Sequence, residues 1–171
     1  MKGNKTVTRH GALLATVDQN EEWVRARARE LDIENEMDIA WALCRIMTHF
    51  QQLYDFAGIS SNNIYWETTE FPVRMLWVPF GKTYVTVINP KYEKLAGQSV
   101  NSTERCGSIP NFSCVVKRKT YVVISGYNMD GKHIELEYGS RRGDGPNCDS
   151  WIIQHEMDHL DGVLIKDKAI F

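Results

Sequence analysis

The sequence predicts an α+β fold, on three observations. Apolar residues recur at three- and four-residue steps after Asn35; runs rich in β-branched and aromatic residues fill positions 71 to 138; a second helical stretch follows, from about Ser150 to Leu160. At 171 residues the chain has the usual size of one domain. It shows no internal repeat, low-complexity stretch or linker, so one domain is expected over 1–171, with the weakly patterned residues 1–20 as an N-terminal arm. Hydrophobic residues at 43% and charged residues at 25% are ordinary for a soluble globular protein. The net charge of -2, with no polybasic tract, argues against nucleic-acid and membrane partners and for a small or peptidic one.

The first element is an amphipathic helix over about 36–54. Met37, Ala40, Leu43, Met47, Phe50 and Leu53 form its apolar stripe, Asn35 is its N-cap, and Met47 and His49 read as core and rim. FPVRMLWVPF (71–80) and KTYVTVINP (82–90) read as strands. Residues 120–138 read as a hairpin turning at Asp130-Gly131. A Gly-rich loop, 139–150, leads into the last helix. No apolar stretch reaches signal-peptide or transmembrane length, which places the protein in the cytosol and leaves Cys44, Cys106, Cys114 and Cys148 reduced.

The sharpest local signal is Gln154-His155-Glu156-Met157-Asp158-His159. Positions i and i+4 of a helix share a face, so His155 and His159 can offer two imidazoles to one metal ion. Glu156 sits beside them as a general base for a water, without being a ligand. Trp151, Ile152 and Ile153 argue that this helix is buried, and two histidines and a glutamate facing a core need a partner. After His159 there is no His or Glu, and Asp161 and Asp167 are only formally available as a third ligand. Upstream, Cys106 in Glu104-Arg105-Cys106-Gly107-Ser108-Ile109-Pro110 is the best candidate, although a single cysteine is more often an inert core residue.

HEMDHLDGVL resembles the HExDHLxGxL motif of peptide deformylases, ERCGSIP their EGCLSxP, and Gly58 to Tyr65 their GLAAxQxG, in the same order along the chain. The resemblance covers about residues 24–168 and implies antiparallel sheets around a central metal-binding helix. It implies a hydrolase that removes the formyl group from N-terminal formyl-methionine of new polypeptides. Cys106, His155 and His159 would bind one divalent metal, Fe²⁺ in the cell, with Zn²⁺ or Ni²⁺ also compatible. Glu156 would be the general base, and the amide of Asn63 and the Gly107 N–H would stabilise the oxyanion. Gly58, Ser102, Glu104 and Arg105 would hold an extended peptide, and Trp151 and Ile152 would line the methionine pocket. Expected partners are N-formyl-methionyl peptides and, transiently, the ribosome; a monomer is expected.

Several positions depart from the family pattern. Asn63 replaces Gln and loses one CH₂ of reach, on the order of 1.5 Å. Losing such an oxyanion donor costs about 2.7–4 kcal/mol. Arg105 replaces a Gly, Gly107 replaces a Leu, and Phe56 and Ala57 stand where a Gly often begins the first motif. The chain stops twelve residues after His159, resembling short deformylases carried by some phages and putting ribosome docking through a C-terminal helix in doubt. A phage origin would place the protein in the host cytosol. Two other readings share these residues: a zinc endopeptidase, which needs a downstream ligand, and a catalytically weakened relative that binds metal or peptide.

Overall fold

The computed structural model describes residues 11–139 and 148–170. In order these form β1 (Ala12–Leu14), α1 (Val17–Arg25), α2 (Met37–Tyr54), β2 (Ile59–Ser60), β3 (Ile64–Trp66), β4 (Met75–Phe80), β5 (Thr83–Cys106), β6 (Ile109–Tyr127), β7 (His133–Gly139) and α3 (Cys148–Leu160). Short 3-10 turns occupy Ser61–Asn63 and Ile165–Asp167. β1 pairs with β3, and β2-β4-β5-β6-β7 form a five-stranded antiparallel sheet. The α+β class is therefore the one expected.

The large sheet is covered on both faces, and the two-residue period of its strands sorts the side chains. Met75 and Ile88 join the core under α2, with Ala40, Leu43, Ile46, Met47 and Phe50. The neighbouring Leu76 and Val87, with Val78, Val122 and Ile124, join the core under α3, with Ile153, Met157 and Leu160. The α2 stripe is as expected except at its end, where Leu53 is 48% exposed. Asn35 is not the cap: Glu36 occupies that position without a side-chain cap bond, and Asn35 donates to Asp32 instead. The expected arm is also more structured than its composition suggests, since β1 and α1 begin within it. Only Val24 of α1 is buried, so no apolar stripe announces that helix. Residues 1–10 of the arm lie outside the described residues.

β5 runs past the expected end at residue 90 as far as Cys106. Register shifts at Ile88/Lys91, Tyr92/Lys94 and Ala96/Ser99 let one strand bend with its partner instead of stopping. The expected hairpin is β6–β7, closed at Tyr127↔His133, with Gly131 at φ 72 in its turn. Residues 140–147 of the predicted Gly-rich loop lie outside the described residues. α3 is fastened to β6 by Gln154: its amide donates to the Lys119 carbonyl at 2.8 Å and its oxygen accepts from the Lys119 N–H at 2.9 Å. No described helix is long and apolar enough to cross a membrane. Cys44, Cys106 and Cys114 are free thiols.

Candidate metal centre

The last residue of β5 meets the middle of α3. His155 and His159 lie one turn apart with ring centroids 5.0 Å from each other. Cys106 Sγ lies 3.1 Å from His159 Nε2. One donor atom from each of Cys106, His155 and His159 falls within 4.8 Å of the others. Cys106 and His159 are buried, at 6% and 2% exposure. Burial pushes the Cys106 thiol up, but the two imidazoles outweigh it and hold the thiol down at about 5. Burial likewise pushes His155 down, and its hydrogen bonds to Cys106 and Glu104 outweigh that, raising it to about 10. A thiolate beside two imidazoles is a donor set for a divalent transition metal. A buried polar atom beside the cluster points the same way: Glu156 Oε2 has no hydrogen-bond partner. Asp161 and Asp167, the formal downstream alternatives, are engaged elsewhere, with Arg74 at 2.8 Å and Arg25 at 2.7 Å.

A buried ionic chain orients this cluster. Glu104 accepts from His155 Nδ1 at 2.9 Å, which turns the opposite ring nitrogen, Nε2, to ligand duty. Arg118 grips both oxygens of Glu104, Nε and Nη2 each at 2.8 Å, and reaches Asp158 at 2.5 Å. Lys168 closes the chain on Asp158 at 2.8 Å. The Arg118 side chain is 1% exposed. Burial pushes Glu104 up, yet the bonds from Arg118 and His155 prevail and hold its carboxyl at about 2. The sequence predicts backbone pairing of Ser102 to Glu104 with the peptide; the Glu104 carboxylate has a separate task, held by Arg118 and His155. Arg118 and Asp158 were missed. The middle residue of Lys117-Arg118-Lys119 faces the opposite side of a strand from its neighbours, the one signal that could have found it.

A cavity of about 360 Å³ opens beside the cluster, and Gly58, Asn63, Ser102, Glu104, Arg105, Cys106, Gly107, Trp151, Ile152, His155 and Glu156 all line it. Of the catalytic, metal-binding and peptide-binding residues expected from the family motifs, His159 alone is not in its wall. Phe56 and Ala57, the departures at the start of the first motif that are expected to reshape the groove, also line it, and Leu14 and Thr103, which the sequence did not single out, complete the lining. Glu156 is buried at 5% exposure, and burial raises its pKa against the pull of His155 and His159. A Cβ at Gly58 would stand 2.7 Å from Ile152 Cγ2 and 3.1 Å from Glu156 Cγ, so a glycine lets this segment approach α3. Asn63 Oδ1 accepts from the Ser60 N–H and hydroxyl, both at 2.8 Å, while Nδ2 donates one hydrogen to Ser108 Oγ at 3.0 Å. Arg105 is an exposed residue of β5 and is not among the non-glycine residues with positive φ, so its backbone does not need the glycine of the family motif. β4 pairs with β5 only at residues 83–88. Among the described residues this leaves Ser102 to Glu104 with β6 on one side and the cavity on the other.

The comparisons with known proteins agree with this geometry. The family model described as polypeptide deformylase matches residues 14–170. The peptide deformylase of Chloroflexus aurantiacus is 38% identical over 82 residues, 48% of this chain and 40% of that protein, so the match spans less than half the relative's length. The deformylase of Vibrio parahaemolyticus bacteriophage VP16T, solved with actinonin, is 26% identical with a TM-score of 0.72, covering 88% of this chain and 98% of that one. The class I type b peptide deformylase of Acinetobacter baumannii, solved with Met-Ala-Ser, shares the fold with a TM-score of 0.75 at 20% identity over 91% of this chain and 96% of that one. Because the family model runs through both halves of the site, from β1 to the residues after α3, the chain belongs to the peptide deformylase family.

Proposed function

We propose that this protein is a metal-dependent hydrolase that removes the N-formyl group from formyl-methionine at the start of new polypeptides, releasing formate. The observation that carries the reading is the juxtaposition of Cys106, His155 and His159 with a buried Glu156 carboxylate oxygen that lacks a partner, in and beside one cavity. Cys106, His155 and His159 would hold one divalent metal; Fe²⁺ is the expected ion in the cell, and the mixed thiolate and imidazole set also suits Zn²⁺ or Ni²⁺. When bound, such an ion supplies Lewis acidity and lowers the pKa of water at the site. Glu156 takes the proton of the attacking water and passes it to the amine nitrogen as the C–N bond breaks. Its raised pKa suits a group that must both accept and return a proton. The second hydrogen of the Asn63 amide and the Gly107 N–H donate to the formyl oxygen as charge develops there.

The peptide lies extended between the Gly58 segment and the cavity side of Ser102 to Glu104, in the manner of an added strand. Trp151 and Ile152 receive the methionine side chain, and Arg105 stands at the exposed edge of the peptide path. The protein acts as a monomer in the cytosol, close to the ribosome that supplies its substrates. The test is to load the protein anaerobically with Fe²⁺ and offer formyl-Met-Ala-Ser beside an unformylated protein substrate. Formate release without internal cleavage is the expected result; internal cleavage without formate is the result for a zinc endopeptidase and would overturn the reading.

A further inference from the structure

The residue after the cysteine is a glycine, and its own backbone does not require one. Gly107 is absent from the glycines with positive φ. What bars a side chain there is a single neighbour: a Cβ at 107 would lie 2.7 Å from Phe56 Cζ and 2.8 Å from Phe56 Cε1, and the third nearest atom also belongs to that ring. Phe56 is held in place from behind. Its ring stacks on Tyr54 at 5.3 Å and 20°, and Tyr54 stacks on the fully buried Phe50 at 6.0 Å and 7°. Its carbonyl accepts from Gln51 Nε2 at 3.0 Å, and its N–H donates to the Gln51 carbonyl at 3.3 Å. The family motifs carry a small residue where this chain has Phe56 and a leucine where it has Gly107. The two positions have exchanged bulk across the cavity.

We infer that Phe56 is a specificity-determining wall of the cavity, occupying the space a side chain at 107 would fill and selecting peptides with an apolar or aromatic second residue. This rests on the deformylase reading and deepens it. Residues 56–58 run across the site, touching the cysteine turn at Phe56 and α3 at Gly58, where Ile152 packs. An extended peptide sends successive side chains to opposite sides. With methionine directed to Trp151 and Ile152, the next side chain points toward the Phe56 end. A planar ring there rewards apolar and aromatic partners through area burial and offset stacking.

The test is a double-mutant cycle of Phe56→Gly, Gly107→Leu and the pair, read by thermal unfolding and by kcat/KM for formyl-Met-Ala-Ser against formyl-Met-Phe-Ser. Wild type is expected to favour the Phe peptide about 5- to 10-fold, with the difference in KM more than in kcat. Phe56→Gly loses that preference. Gly107→Leu alone lowers the Tm by about 4–8 °C through overpacking, and the double variant recovers most of that loss. Additive Tm changes, or an unchanged peptide preference in an active Phe56→Gly, would overturn the inference while leaving the reaction intact. No formate from either peptide with loaded wild type would overturn the selectivity together with the deformylase reading, and the Tm cycle would still decide whether the two positions share one space.

Discussion

Replacing Arg118 by methionine tests how the metal centre is supported. The guanidinium holds Glu104, 9% exposed, and Asp158, 16% exposed, and is itself 1% exposed. Methionine fills much of the volume and leaves the Glu104 carboxylate without its strongest partner. Breaking a buried ion pair from one side costs about 3–5 kcal/mol, because the surviving charge stays desolvated. Asp158 keeps Lys168 at 2.8 Å, so Glu104 bears most of the loss. For a chain of this size a Tm drop of about 10 °C follows. His155 also loses a firmly placed acceptor, and metal affinity should fall about 10- to 100-fold. The assays are urea unfolding and competition for Zn²⁺ with a chelator. Lys168→Met, at a residue 42% exposed, is the control and should cost less than about 1 kcal/mol. If Arg118→Met unfolded within about 1 kcal/mol of wild type and bound metal as tightly, the chain from Arg118 through Glu104 to His155 would not be the support described.

Glu156→Ala should keep one metal per chain and lower formate release by at least ~10²-fold, the low end for a general acid–base group; metal analysis beside turnover separates this from loss of the site. Cys106→Ala should lose the metal, and full retention measured by elemental analysis would remove Cys106 from the ligand set. Gly58→Ala should destabilise by about 1–3 kcal/mol in urea, because the added methyl meets Ile152 at 2.7 Å, and Ile152→Ala should relieve part of that. Arg29 and the Asp32 N–H hold Glu36 at about 2, below its ordinary 4.5, so its contribution is present above pH 4.5 and is lost as pH falls toward 2. Glu36→Gln should therefore lower the Tm by about 2 °C at pH 7 and make no difference near pH 2, as measured by circular dichroism.

Which parts of this site could be read from the sequence follows from the range of the interactions involved. The pairing of His155 with His159, and the position of Glu156 between them, are fixed by one turn of helix and need no tertiary information. Cys106 required the absence of any His or Glu after His159 and the likeness of its surrounding motif. The role of Arg118 was hidden, since it depends on the face that β6 turns inward and on the pairing of residues fourteen positions apart. Phe56 was visible only as a departure from the motif; its meaning comes from Gly107, in the distant turn between β5 and β6. Asn35 was misread as a cap because its side chain prefers the local turn with Asp32, and α1 was missed because it buries a single residue.

The most direct test of the account is to measure metal content and formate release from formyl-Met-Ala-Ser on one anaerobically purified sample. One metal per chain with formate released in step with it is the predicted result. One metal per chain and no formate would mean that Cys106, His155 and His159 assemble a site without the reaction, and would contradict the assignment of this protein as a working deformylase.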